Sequence, residues 1–183
     1  MTMTRQPGET PKLFLQPCTI FVHREEHWVS TILGSCISVC LWDHGPGIGG
    51  INHYMLPLWN GEGLPTPKYG NIAIERLLEK MLSLGCRKER LVAKVFGGSR
   101  VIRGDASPFS VGDRNLALAR EILASHDIPI AAAETGGTSG MKIHFNTCNG
   151  AVLLSRLASD APLAPNLPDG RPKALLDQLR AMP

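Results

Sequence analysis

Two short apolar runs, Ile37–Asp43 (ISVCLWD) and Ile48–Leu56 (IGGINHYML), flank the turn HGPG. No other feature restricts the fold of this chain as much. Such runs, bounded by Gly and Pro, read as strands, and a turn this short joins them as an antiparallel hairpin. Cys36 follows Gly34-Ser35, and His53 follows Gly49-Gly50 and a short apolar step, seventeen positions later. That spacing brings the two back beside each other at the open end of the hairpin.

A cysteine in such a place has two readings. It packs as a small hydrophobe, as the alternating run around Cys40 suggests for that residue. Alternatively it is a nucleophile, which requires a thiolate, and free thiol at a pKa of about 8.5 supplies little of it at neutral pH. A neighbouring imidazole removes that obstacle by accepting the proton and later returning it to a leaving group. On this reading His53 lowers the pKa of Cys36 or deprotonates it on demand, and Cys36 is the most reactive thiol of the chain. Gly34 favours the nucleophile by permitting close approach or a positive φ beside Cys36.

The rest of the chain builds a single domain around the hairpin. Residues 1–16 are polar and Pro-containing and read as a loose arm. Thr19–Val29 reads as strand, polar turn, strand, and LWNGEGLPTPKYG after His53 as a loop over a site. Ile74, Leu77, Leu78, Met81 and Leu82 recur at helical spacing, which predicts a helix over Asn71–Leu84 stopped by Gly85. LVAKVFG is a strand, Gly112–Ser125 a second helix with Leu116, Ala119 and Leu123 on one side, and IPIAAAE a strand. MKIHFN and AVLLSRL flank an Asn-Gly turn and form a hairpin. Two helices among about eight strands predict an α+β fold, a mixed sheet or sandwich core flanked by helices. The domain spans residues 17–158. Residues 159–183 form a flexible Pro-rich tail, with a short marginal helix from Lys173 to Met182.

Composition excludes several function classes. A net charge of +3 with no basic stripe argues against nucleic acid. No run approaches the ~18 apolar residues of a membrane span. Five cysteines form no disulfide framework, so a reducing, cytoplasmic setting is expected. Cys36, Cys40 and His44 recur every four residues, but on a strand that step covers ~13 Å, too far to share a zinc ion. No zinc site is expected. Gly97-Gly98 and Gly136-Gly137 lead into loop and strand, not into the helix a phosphate site needs. Asp113-Arg114-Asn115 reads as surface capping of the second helix.

Together the segments LGSCISVCLWD, GGINHYMLP, KYGNIAIERLLEKMLSLG, LVAKVFGGS, VGDRNLALAREIL and ETGG resemble the CheD family of chemoreceptor glutamine deamidases, in family order from about Thr19 to Leu157. The resemblance implies hydrolysis of glutamine side chains on methyl-accepting chemotaxis receptors, without a cofactor. It implies Cys36 as nucleophile and His53 as general base and acid, acting through a thioester. The family's third member is a hydroxyl residue six positions before the cysteine, which by count is Ser30, with Thr31 one residue away. It also implies a likeness to deamidating toxins and a possible partner, a CheC-type phosphatase. An adaptor that binds such a phosphatase with little or no catalysis is the alternative. Met141 stands where the family often has arginine, and the tail lies outside the resemblance.

Overall fold

The computed structural model describes residues 3–4, 10–100 and 110–157. The strands are β1 (Met3–Thr4), β2 (Lys12–Phe14), β3 (Thr19–His23), β4 (Trp28–Leu33), β5 (Ile37–Asp43), β6 (Ile48–His53), β7 (Leu91–Gly97), β8 (Ile130–Thr135), β9 (Met141–Asn146) and β10 (Val152–Arg156). Helix α1 covers Gly70–Ser83 and α2 covers Val111–Ser125. The strands form two mixed sheets, β1-β2-β4-β9-β10 and β3-β6-β5-β7-β8. Each sheet holds one parallel pair among antiparallel neighbours, β2 with β4 and β7 with β8. The fold is α+β, a single domain, as expected.

Burial alternates along β4, because only one face of the first sheet is covered. Leu13, Val29, Leu33, Ile143 and Phe145 pack there against Cys40, Ile51 and Phe96 of the second sheet. The opposite face of the second sheet carries Ile37, Val39, Leu41, Ala93 and Val95, which pack against Ala73, Ile74, Leu77 and Met81 of α1 and Ala119 and Leu123 of α2. The layers are therefore sheet, sheet and helices. The middle sheet is buried on both sides, which is why β5 and β6 are almost uninterruptedly buried.

Two expectations need correction. The loose arm assigned to residues 1–16 gives way by Lys12 to a strand that pairs in parallel with β4, and Leu13 and Leu15 are fully buried between the sheets. A three-residue strand shows no periodicity, so only its burial reveals it. The surface reading of Asp113-Arg114-Asn115 holds for Asp113, which forms a capping box with Ser110. It fails for Asn115, which is wholly buried on the inner face of α2 together with Gly112, Leu118 and Ala119. The tail from residue 159, and the helix expected in it, lie outside the described residues.

Candidate active site

The β5–β6 register sets the site. Cys40 faces Ile51, and past the end of β6 Ile37 and Tyr54 still exchange both backbone hydrogen bonds, at 3.1 and 3.0 Å. Ser38 therefore lies opposite His53, and Cys36 stands diagonally across from His53 on the same face. Diagonal neighbours of this kind remain within reach of each other's longer side chains. That face looks into the space between the sheets, where Cys36 packs at the margin of the apolar cluster.

The turn carrying Cys36 is tied down from three directions. Ser99 N donates to Gly34 O at 2.8 Å, Gly98 N to Cys36 O at 2.9 Å, and Asn115 Nδ2 to Ser35 O at 3.0 Å. Of the two roles expected of Gly34, close approach or a positive φ, the positive φ falls instead at Gly97 and Gly98, at 105° and 72°. A Cβ on Gly97 would run into the Cys36 carbonyl oxygen, so only glycine lets β7 end this close to the turn.

His53 is 2% exposed, and its Nδ1 lies 2.8 Å from Thr31 Oγ1. The same hydroxyl lies 3.0 Å from the carbonyl of Leu15. A hydroxyl has one proton, and a carbonyl can only accept. Thr31 therefore donates to Leu15 O and accepts from His53 Nδ1–H, which leaves the proton off Nε2. That Nε2 is buried and has no hydrogen-bond partner among the described residues. Thr31, not Ser30, is the hydroxyl beside the imidazole. Ser30 points to the other face of β4 and donates to Leu13 O at 3.2 Å. Counting back from the cysteine selected the wrong parity, and a single step along a strand reverses the side chain.

Burial alone holds His53 down to about 4, so the ring is neutral at pH 7. Cys36 is pushed up to about 11, first by burial and then by the nearby Cys18, while its own backbone N–H pulls it down. The resting groups are thus a neutral thiol and a neutral imidazole, and of the two effects expected of His53, lowering the thiol pKa or deprotonating it on demand, this state is compatible with the second. Cys18 escaped the sequence reading. Its backbone, at a φ of 62°, donates to His53 O at 2.8 Å, and its thiol lies 3.5 Å from the Met55 sulfur. Cys40 is a core residue between the sheets, pushed up to about 12 by burial.

The profile of the family described as CheD, chemotactic sensory transduction, matches residues 55–156. That span begins two residues beyond His53, so it bears on the fold around the site and not on Cys36 or His53. A protein of Trichlorobacter lovleyi is 52% identical over 155 residues, covering 84% of this chain and 96% of the relative. One from Sulfurimonas denitrificans is 43% identical over 147 residues, 80% of this chain and 94% of the relative. One from Rhodospirillum rubrum is 42% identical over 149 residues, 81% of this chain and 84% of the relative. Each of the three is named "Probable chemoreceptor glutamine deamidase CheD". The chain belongs to the CheD family.

Proposed function

We propose that the chain is a protein-glutamine deamidase acting on chemotaxis receptors, with Cys36 as nucleophile, His53 as base and acid, and Thr31 orienting the imidazole. The observation that carries this is the hydrogen bonding of His53, whose Nδ1 lies 2.8 Å from Thr31 Oγ1 while Nε2 is buried with no hydrogen-bond partner among the described residues, on the strand face that also carries Cys36. A general base needs a free lone pair and a pKa below the working pH, and His53 has both. The names of the relatives supply the substrate class.

The chemistry follows from the neutral pair. As Sγ of Cys36 attacks the glutamine amide carbon, Nε2 takes the thiol proton and the carbonyl oxygen becomes an oxyanion. The Cys36 backbone N–H, which already faces its own sulfur, is a suitable donor to that oxyanion. Collapse of the intermediate breaks the C–N bond, and the imidazolium returns its proton to the nitrogen, which leaves as ammonia. Water, deprotonated by Nε2, then hydrolyses the thioester and yields glutamate and the free thiol. Thr31 stabilises the transient imidazolium only as a neutral acceptor, more weakly than the carboxylate of other triads.

The test is incubation of the purified chain with a receptor cytoplasmic fragment, followed by mass spectrometry of its peptides. Conversion of glutamine to glutamate by the chain, and none by Cys36→Ala, is the expected result. Cys40→Ala should keep turnover and lose on the order of 1 kcal/mol of stability. Full activity in Cys36→Ala would sink the mechanism.

A further inference from the structure

Asn115 is fully buried on α2, far in sequence from both site residues, yet its side chain joins the two segments that carry them. One Nδ2 proton goes to Ser35 O at 3.0 Å and the other to Met55 O at 2.9 Å. Its backbone carbonyl accepts the hydroxyl of Tyr54, the residue after His53, at 2.6 Å. Its Oδ1 is buried without a hydrogen-bond partner among the described residues. An unpaired buried acceptor is costly, and an amide oriented the other way would face two carbonyls with its oxygen. The orientation is therefore fixed by the two carbonyls it serves.

The peptide plane gives this contact a catalytic meaning. In a trans peptide the C=O and N–H point in opposite directions. Holding Ser35 C=O toward α2 turns Cys36 N–H away from it, to the side of its own sulfur. We propose that Asn115 is a positioning residue that locks the Ser35–Cys36 peptide so that Cys36 N–H serves as oxyanion donor, while its second hydrogen bond holds the end of the His53 strand in register with it. The inference rests on the deamidase reading above for the identity of the oxyanion. The peptide lock itself does not. Gly112 lets α2 come close enough, since a Cβ there would lie 2.5 Å from Gly98 O.

The experiment compares Asn115→Ala and Tyr54→Phe with wild type by amide hydrogen exchange in NMR and by receptor-fragment kinetics. In Asn115→Ala the Cys36 amide should change shift and exchange at least about tenfold faster, while Val95 and Ile51 in the middle sheet stay protected. On the receptor fragment kcat should fall by about a hundredfold, the scale of one lost oxyanion donor, with KM within about twofold. An unchanged Cys36 amide, or a loss of kcat that merely follows loss of folded protein, overturns the proposal. Should Asn115→Ala not fold, Tyr54→Phe decides by the same readings. It deletes a single hydroxyl, and faster Cys36 exchange with a lower kcat is expected, whereas no change in either overturns the lock. Wild type that turns over no receptor glutamine defeats the deamidase reading, and the amide exchange still judges the lock.

Discussion

At the residue scale, the proposed mechanism turns on one hydroxyl proton. Thr31 directs it to Leu15 O, and His53 is left with Nε2 buried and unpaired among the described residues. Thr31→Val keeps the shape and removes the hydroxyl, leaving Leu15 O and Nδ1–H unpaired in a buried place. The expected result is a loss of about 1–3 kcal/mol in denaturant unfolding and a fall in kcat of about ten- to a hundredfold from the misplaced ring. Ser30→Ala loses only a part-buried bond on the other face, so its kcat should stay within about twofold of wild type. Equal loss in both would remove Thr31 from the mechanism. The protonation states give a second prediction. A neutral base and a neutral thiol are both present between about 4 and about 11. The kcat/KM profile should therefore be a broad plateau with limbs toward those values, where an acid limb between pH 6 and 7 would contradict the neutral pair. Alkylation reads the same property without substrate. Exposed Cys148 should react with iodoacetamide before Cys36 at pH 7, and the Cys36 rate should climb toward pH 11.

At the scale of elements, the hairpin that carries Cys36 and His53 was legible because turn chemistry and apolar runs agree there. β5 and β9 match their expected bounds, and α1 and α2 each lie within one residue of their expected starts. Three things were not legible, each for its own reason. β2 is too short to show a period. Ser30 and Thr31 are both hydroxyls on a strand, so only knowledge of which face is inward separates them. Asn115 is polar, and polar residues on a helix read as surface unless their partners, distant in sequence, are known. The end of β7 adds a fourth lesson, since the glycine that lets it approach the Cys36 turn lies some sixty residues from that turn, at Gly97. Gly97→Ala combines a φ of 105° with a collision at Cys36 O. It should cost at least about 2 kcal/mol and depress turnover further than the lost stability explains. Differential scanning calorimetry and receptor kinetics on one preparation would separate the two effects. An active, fully stable Gly97→Ala would show that the turn does not depend on this approach.

At the scale of the molecule, two buried titrating groups on the middle sheet make stability depend on pH in two separate windows. His53 is held at about 4 in the folded chain, against about 6.5 unfolded. Below pH 6.5 the unfolded chain therefore binds a proton that the folded chain refuses. Stability falls as pH drops from 6.5 to 4, and the decline from this group ends once the folded ring protonates, after a loss of about 3 kcal/mol. Asp43 has the opposite chemistry. It accepts Arg90 Nε and Nη2 at 2.8 and 2.9 Å and the backbone N–H groups of Gly45 and Arg87. Arg90 above all holds its carboxyl down to about 2. Its contribution is complete above the unfolded value of about 3.9 and is lost as pH falls through about 2. Urea unfolding of wild type should thus weaken in two stages as pH falls, the first above pH 4 and the second below it. His53→Gln should flatten the first stage and leave the second. Arg90→Met should do the reverse, and should lower stability at pH 7 by about 1–3 kcal/mol because a buried carboxylate loses its counter-charge. If His53→Gln keeps the full decline between pH 6.5 and 4, the imidazole is not buried in its neutral form, and the base assigned to the site loses its physical footing.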